Sequence, residues 1–152
     1  VSMAIEYDLI LAGDTPAEQV AARAFPEHDE RPDGPGPLLV AVVNERYGFA
    51  ATIRSGGSRY VEVLTDQGSW EWEPEPAASV GFRMDKEVPD VAWQVTNMLT
   101  VVRRVLATGA EDAAFSFNGD ILLLSRLNGV LTKHRRDKWW ANYPGANDAL
   151  PG

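Results

Sequence analysis

The stretch from Phe117 to Trp140, FNGDILLLSRLNGVLTKHRRDKWW, constrains the fold of this chain more than any other segment. Asn118-Gly119 and Asn128-Gly129 are residue pairs that tolerate the positive backbone angles of a type I′ turn, and each is set between hydrophobic runs. Two such turns predict three sequential antiparallel strands, at Ala113–Phe117, Asp120–Leu127 and Val130–Thr132. The rest of the chain must complete a sheet around them.

The N-terminal half reads accordingly. Ile5, Tyr7, Leu9 and Leu11 alternate with Glu6 and Asp8, the period of a half-buried strand. Thr15-Pro16-Ala17-Glu18 then opens a helix, with Thr as cap, Pro at the first helical position and Glu at the third. That helix shows Ala17, Val20, Ala21 and Ala24 to one side and stops at Phe25-Pro26, since a residue before proline avoids helical angles. Residues 26–37, PEHDERPDGPGP, read as a flexible polar loop. Leu38–Asn44, Phe49–Ser55, Tyr60–Thr65, Trp70 to Pro76 and Ser79–Met84 read as extended pieces. Pro89-Asp90 opens a second helix carrying Val91, Val95, Met98, Leu99, Val102, Val105 and Leu106 at helical spacing, and Gly109 ends it.

The order strand, helix, several strands, helix, strands predicts an α+β fold: a single antiparallel or mixed sheet of about six to eight strands with two helices on one face. A chain of 152 residues suits one domain, 1–152, with 141–152 as an irregular tail. Cysteine is absent, which excludes disulfides, thiolate catalysis and cysteine-ligated zinc and fits a reducing cytoplasm. The start, VSMAIEYDLILAG, has no basic leader before an apolar run, so no signal peptide is expected, and no uncharged apolar stretch is long enough to span a bilayer. With 22 acidic against 14 basic residues the net charge is −8, which disfavours nucleic acid and anionic membranes as partners and favours cationic ones.

Three segments offer themselves as sites. In Trp70-Glu71-Trp72-Glu73-Pro74-Glu75-Pro76, an extended chain puts both tryptophans on one face and Glu71 and Glu73 on the other. The prolines cannot complete a central ladder, so the segment belongs at a sheet edge. Proline and like charges there discourage aggregation; equally, Trp70, Glu71, Trp72, Glu73 and Glu75 would form a protein-partner surface of aromatic anchors beside carboxylates. Lys133-His134-Arg135-Arg136-Asp137-Lys138 is either a grip for phosphate or acidic protein or, the simpler reading, a strand end in water. Trp139 and Trp140 would stack a base or fold back over the core, and the core is expected for at least one.

No catalytic, metal or cofactor site is expected. His28 and His134 share no ligand spacing, and Glu27, Asp29, Glu30 and Asp33 lack the order of a calcium loop and read as solvated. There is no G-x-S-x-G elbow, and Ser55-Gly56-Gly57-Ser58 joins two strands without a following lysine. The chain reads as non-enzymatic.

MAIEYDLILAGDTPAEQVAARAFPE and FNGDILLLSRLNGVLT, with the aromatic end that follows, resemble the Sit-type immunity family over about residues 3–140. These are bacterial proteins of about this size that accompany polymorphic toxins delivered between neighbouring cells. The resemblance implies a cytoplasmic protein that neutralises a cognate toxin by binding it, and supplies no catalytic or metal residues. Alongside it stand a small-molecule-binding or self-resistance protein with an aromatic-lined pocket, and an enzyme whose cleft brings acids to His28 or His134. The oligomeric state is open, a homodimer through a sheet edge included.

Overall fold

The computed structural model describes residues 4–152; residues 1–3, which begin the N-terminal stretch read above, lie outside the described residues. The strands are β1 (Glu6–Ala12), β2 (Leu38–Val43), β3 (Phe49–Ser55), β4 (Val61–Thr65), β5 (Gly68–Trp72), β6 (Ala77–Met84), β7 (Ala113–Phe117), β8 (Ile121–Leu127) and β9 (Val130–Lys133). The helices are α1 (Ala17–Ala24), α2 (Asn44–Tyr47), α3 (Val91–Ala107) and α4 (Pro144–Ala149). The fold is α+β. Its strands number nine among the described residues rather than six to eight, because every extended piece read from the sequence, the short ones around Trp70 and Val130 included, pairs into the one sheet.

The sheet runs β2-β3-β6-β1-β7-β8-β4-β5, with β9 also paired to β8. It is mixed by virtue of one parallel bridge, Leu64 to Ile121 between β4 and β8. Both Asn-Gly turns form: Asn118 and Gly119 have φ of 50° and 75°, Asn128 and Gly129 of 51° and 80°. Beyond β8 the sheet divides, β9 following one end of that strand and the β4–β5 hairpin leaving from the other.

Strand alternation sorts the side chains between two faces. Tyr7, Leu9 and Leu11 of β1, Phe49 and Ile53 of β3, and Val80 and Phe82 of β6 join the buried faces of α1 and α3 in the larger core. From α3 come Val95, Met98, Leu99, Val102, Val105 and Leu106, as the spacing predicts, while Val91 on the first turn is exposed. Asp90 caps α3 by accepting the Trp93 N–H at 3.0 Å. At α1 the expected cap does not form. Ala17 is the first helical residue, Pro16 precedes it, and the Thr15 hydroxyl donates instead to Glu111 Oε2 at 2.9 Å.

Two segments read as irregular are ordered by tertiary contacts. Residues 141–152, expected as a tail, carry α4, which buries Ala146 and Leu150 in the larger core. Gly145 permits the approach: a β-carbon there would stand 2.8 Å from Thr96 Oγ1 on α3. Within 26–37, a 3-10 turn at His28–Glu30 buries Glu30, which accepts the Tyr47 hydroxyl at 2.7 Å and pairs with Arg46 at 2.9 Å. Glu30 is therefore not a solvated loop acid.

Candidate functional site

The β4–β5 hairpin crosses the sheet face that the helices leave open. Its register sets Val61 opposite Trp72, Glu62 opposite Glu71 and Val63 opposite Trp70. Alternation turns Val61, Val63, Trp70 and Trp72 inward, against Ile10, Ala77, Ala114 and Leu122 in a second, smaller core. The two indoles stack on each other, 5.7 Å apart and 17° from parallel. Both are half-buried, so they hold the hairpin down and present only their rims.

The other side of the hairpin is carboxylate. Glu62 and Glu71 face each other directly, and the Tyr60 hydroxyl stands between them, 3.0 Å from Glu62 Oε2 and 2.8 Å from Glu71 Oε1. One phenolic proton serves two anions, so Tyr60 is held protonated above its ordinary range, by Glu71 first and Glu62 second. Like charges directly opposed across a ladder are destabilising. Glu73 and Glu75 follow in the exposed chain beyond β5, and Leu64 is 51% exposed on the same outward side as Glu62. As β5 ends the strand order, this surface borders an unpaired sheet edge.

The structure thus separates the five residues singled out in sequence, with Glu71, Glu73 and Glu75 outside and Trp70 and Trp72 inside. It adds Tyr60 and Glu62. Their signal was the alternation of YVEVLT, which acquires meaning once Glu62 is known to pair with Glu71.

The basic run is divided between core and solvent. Lys133 and His134 are buried, whereas Arg136 and Lys138 are exposed. Lys133 Nζ lies 4.5 Å from the centre of the Trp140 ring and donates to Asn147 Oδ1 at 2.8 Å. Trp140 is buried, its Nε1 donating to Leu123 O at 3.0 Å. Trp139 packs edge-on against Trp140 and Tyr7. The two tryptophans fasten the C-terminal segment to the sheet.

The histidines do not meet: His28 is exposed, and His134 sits beside Asp66, whose N–H donates to His134 Nδ1 at 3.3 Å. Among the described residues no group of three or more His, Asp or Glu could hold a metal, and no helix is long and apolar enough to cross a membrane. A hollow of about 330 Å³ with Tyr7, Phe117, Trp139 and Tyr143 in its walls opens beside the start of α3. Burial pushes the Tyr7 phenol up to about 12.

A family model described as SitI3-like matches residues 5–144. Comparison with curated proteins and with solved structures returns no match.

Proposed function

The chain belongs to the SitI3-like family, and from that premise we propose that it is a non-enzymatic, cytoplasmic immunity protein that binds and neutralises a cognate protein toxin. The observation that carries the surface assignment is the directly opposed pair Glu62 and Glu71, flanked by Glu73 and Glu75 on an exposed edge hairpin. Such an arrangement costs the free protein stability and is relieved by an arriving Lys or Arg. A cationic toxin surface is therefore the partner it fits. Trp70 and Trp72 act beneath the surface, keeping the hairpin flat while their rims border the contact.

The test is association with a candidate cognate toxin, sought first among the products of neighbouring genes. The chain should protect cells expressing that toxin and form a salt-sensitive complex with it. Reversal of Glu62, Glu71 and Glu73 to Lys should slow association by tenfold or more, on the order of electrostatic steering effects. Unchanged association would remove the hairpin as the docking surface, and failure to protect would remove the immunity reading.

The aromatic hollow beside Tyr7 supports a second reading, a small apolar ligand. A thermal-shift screen in which aromatic compounds raise the unfolding temperature, and do so less for Tyr143→Ala, would favour it.

A further inference from the structure

Beside the hairpin, the open face of the sheet forms a polar groove of about 720 Å³ whose charged lining residues are Glu6, Asp8, Arg54, Arg59 and Arg83. Its floor follows from the register. Thr52 of β3, Gly81 of β6 and Asp8 of β1 stand in one row across three adjacent strands. Gly81 lies in a central strand, where the lack of a side chain weakens the sheet and commonly marks a place where another chain comes close. Arg54 pairs with Ser79 and Arg83 with Ala50, so the two arginines lie four residues apart along the sheet, about 13 Å, on either side of the glycine.

Two of the cations are already engaged. Arg59 donates to Ser79 Oγ at 2.8 Å and reaches Asp8 Oδ2 at 3.3 Å, and Arg83 stands 3.9 Å from Glu6. Three guanidinium groups against two carboxylates leave one positive charge, at Arg54. Arg54 makes no hydrogen bond or ion pair among the described residues. The floor is partly open, with the Asp8 side chain 36% exposed; burial raises its carboxyl, and Arg59 first and Arg54 after it pull the other way. In a chain of net charge −8, a groove whose guanidinium groups outnumber its carboxylates by one is a place where one incoming carboxylate would be held by charge-assisted hydrogen bonds.

We infer that this groove receives one acidic side chain, a Glu or Asp, carried on an extended segment of the toxin that lies across Gly81 and ends on Arg54. The inference rests on the immunity reading and deepens it. Because Arg59 faces the groove while Tyr60 faces the carboxylates of Glu62 and Glu71, the toxin is read by two adjoining surfaces of opposite sign. A partner with only cationic charge satisfies the hairpin alone.

A toxin-free assay tests the groove. The isotopically labelled chain is titrated with the blocked pentapeptide Ala-Ala-Glu-Ala-Ala, with its Gln counterpart and with acetate, and amide and arginine Nε shifts are followed by nuclear magnetic resonance. The Glu peptide should move Gly81, Thr52 and the Arg54 Nε, with at least fivefold weaker effects from the Gln peptide and from acetate. Arg54→Gln should abolish the response, as should Gly81→Val, which fills the floor. Gly81→Ala controls for folding, because its β-carbon would meet only Asp8 Oδ1 at 3.4 Å and Thr52 O at 3.8 Å, ordinary contacts. Equal shifts from the two peptides, or a response that survives in Arg54→Gln, would overturn the inference. So would acetate binding as tightly as the peptide, since the groove would then be a site for simple anions. With no toxin in the assay, such a failure leaves the immunity reading standing. Failure of the toxin to bind the unaltered chain removes the immunity reading without touching the peptide result.

Discussion

Arg59 and Tyr60 are neighbours in sequence and serve opposite sides of one hairpin. The guanidinium of Arg59 reaches back to Asp8 and Ser79 on the open sheet face, and the hydroxyl of Tyr60 is shared by Glu62 and Glu71 on the outer face. Two adjacent residues thus anchor a cationic groove and an acidic ridge. What keeps the ridge from being merely an aggregation-resistant edge is its cost, and that cost can be measured.

Replacing Glu62 by Gln removes one of two opposed charges while Tyr60 still donates to Glu71. The free protein should gain stability of about 0.2–1 kcal/mol, read as a higher denaturant midpoint. Association with a cationic toxin should slow in the same variant. A gain in stability with no change in association would mark the pair as incidental.

A different carboxylate is wholly structural. Arg23 of α1 clasps Glu111, just beyond α3, in a two-pronged pair at 2.6 and 2.9 Å, both side chains 14% exposed. Arg23 holds the Glu111 carboxyl well below the usual range, at about 2 against an ordinary 4.5, with the Thr15 hydroxyl assisting. The folded group loses its proton more readily than the unfolded one. Its contribution is therefore complete above pH 4.5 and is lost as pH falls toward about 2. Thermal unfolding of the native chain and of Glu111→Gln should differ most above that window, and the two curves should converge at its acidic end.

Gly109 makes the clasp possible. Expected as the glycine that stops α3, it is not among the residues of positive φ, and Thr108 caps the helix. A β-carbon at 109 would stand 2.2 Å from both Arg23 Nη2 and Glu111 Oε1. Gly109→Ala should destabilise by about 1–3 kcal/mol. Most of that loss should vanish in the Glu111→Gln background, since both changes break the same pair, and a double-mutant cycle would measure the coupling.

His134 ties the end of β9 to the β4–β5 turn through the N–H of Asp66. Burial is the main cause that lowers its pKa below 6.5; Asp66 opposes that shift and Arg135 adds to it. Below pH 6.5 the unfolded imidazole takes up a proton that the folded one resists, so stability declines as pH falls through that range. His134→Gln should flatten this part of the stability profile, followed by denaturant midpoints above and below 6.5. An unchanged slope would assign the decline to other groups.

Much of the fold was legible locally. Asn118-Gly119 and Asn128-Gly129 determine their turns because only such residues enter the left-handed region cheaply. The spacing of Val95, Met98, Leu99, Val102, Val105 and Leu106 determines which face of α3 is buried, because helical geometry maps spacing onto direction. The alternation in β5 likewise determined that Trp70 and Trp72 share one side and Glu71 takes the other.

Which side meets water was decided by the tertiary structure. The larger core already fills the helix-covered face, so the hairpin had to bury its indoles against Ile10, Ala114 and Leu122 on the opposite one. The same holds for Lys133, charged and yet buried over Trp140, and for α4, whose helix forms where Ala146 meets the core. Local chemistry sets what a segment prefers. Long-range packing sets what it faces, and the opposition of Glu62 to Glu71 and the spare charge at Arg54 exist only once distant strands are side by side.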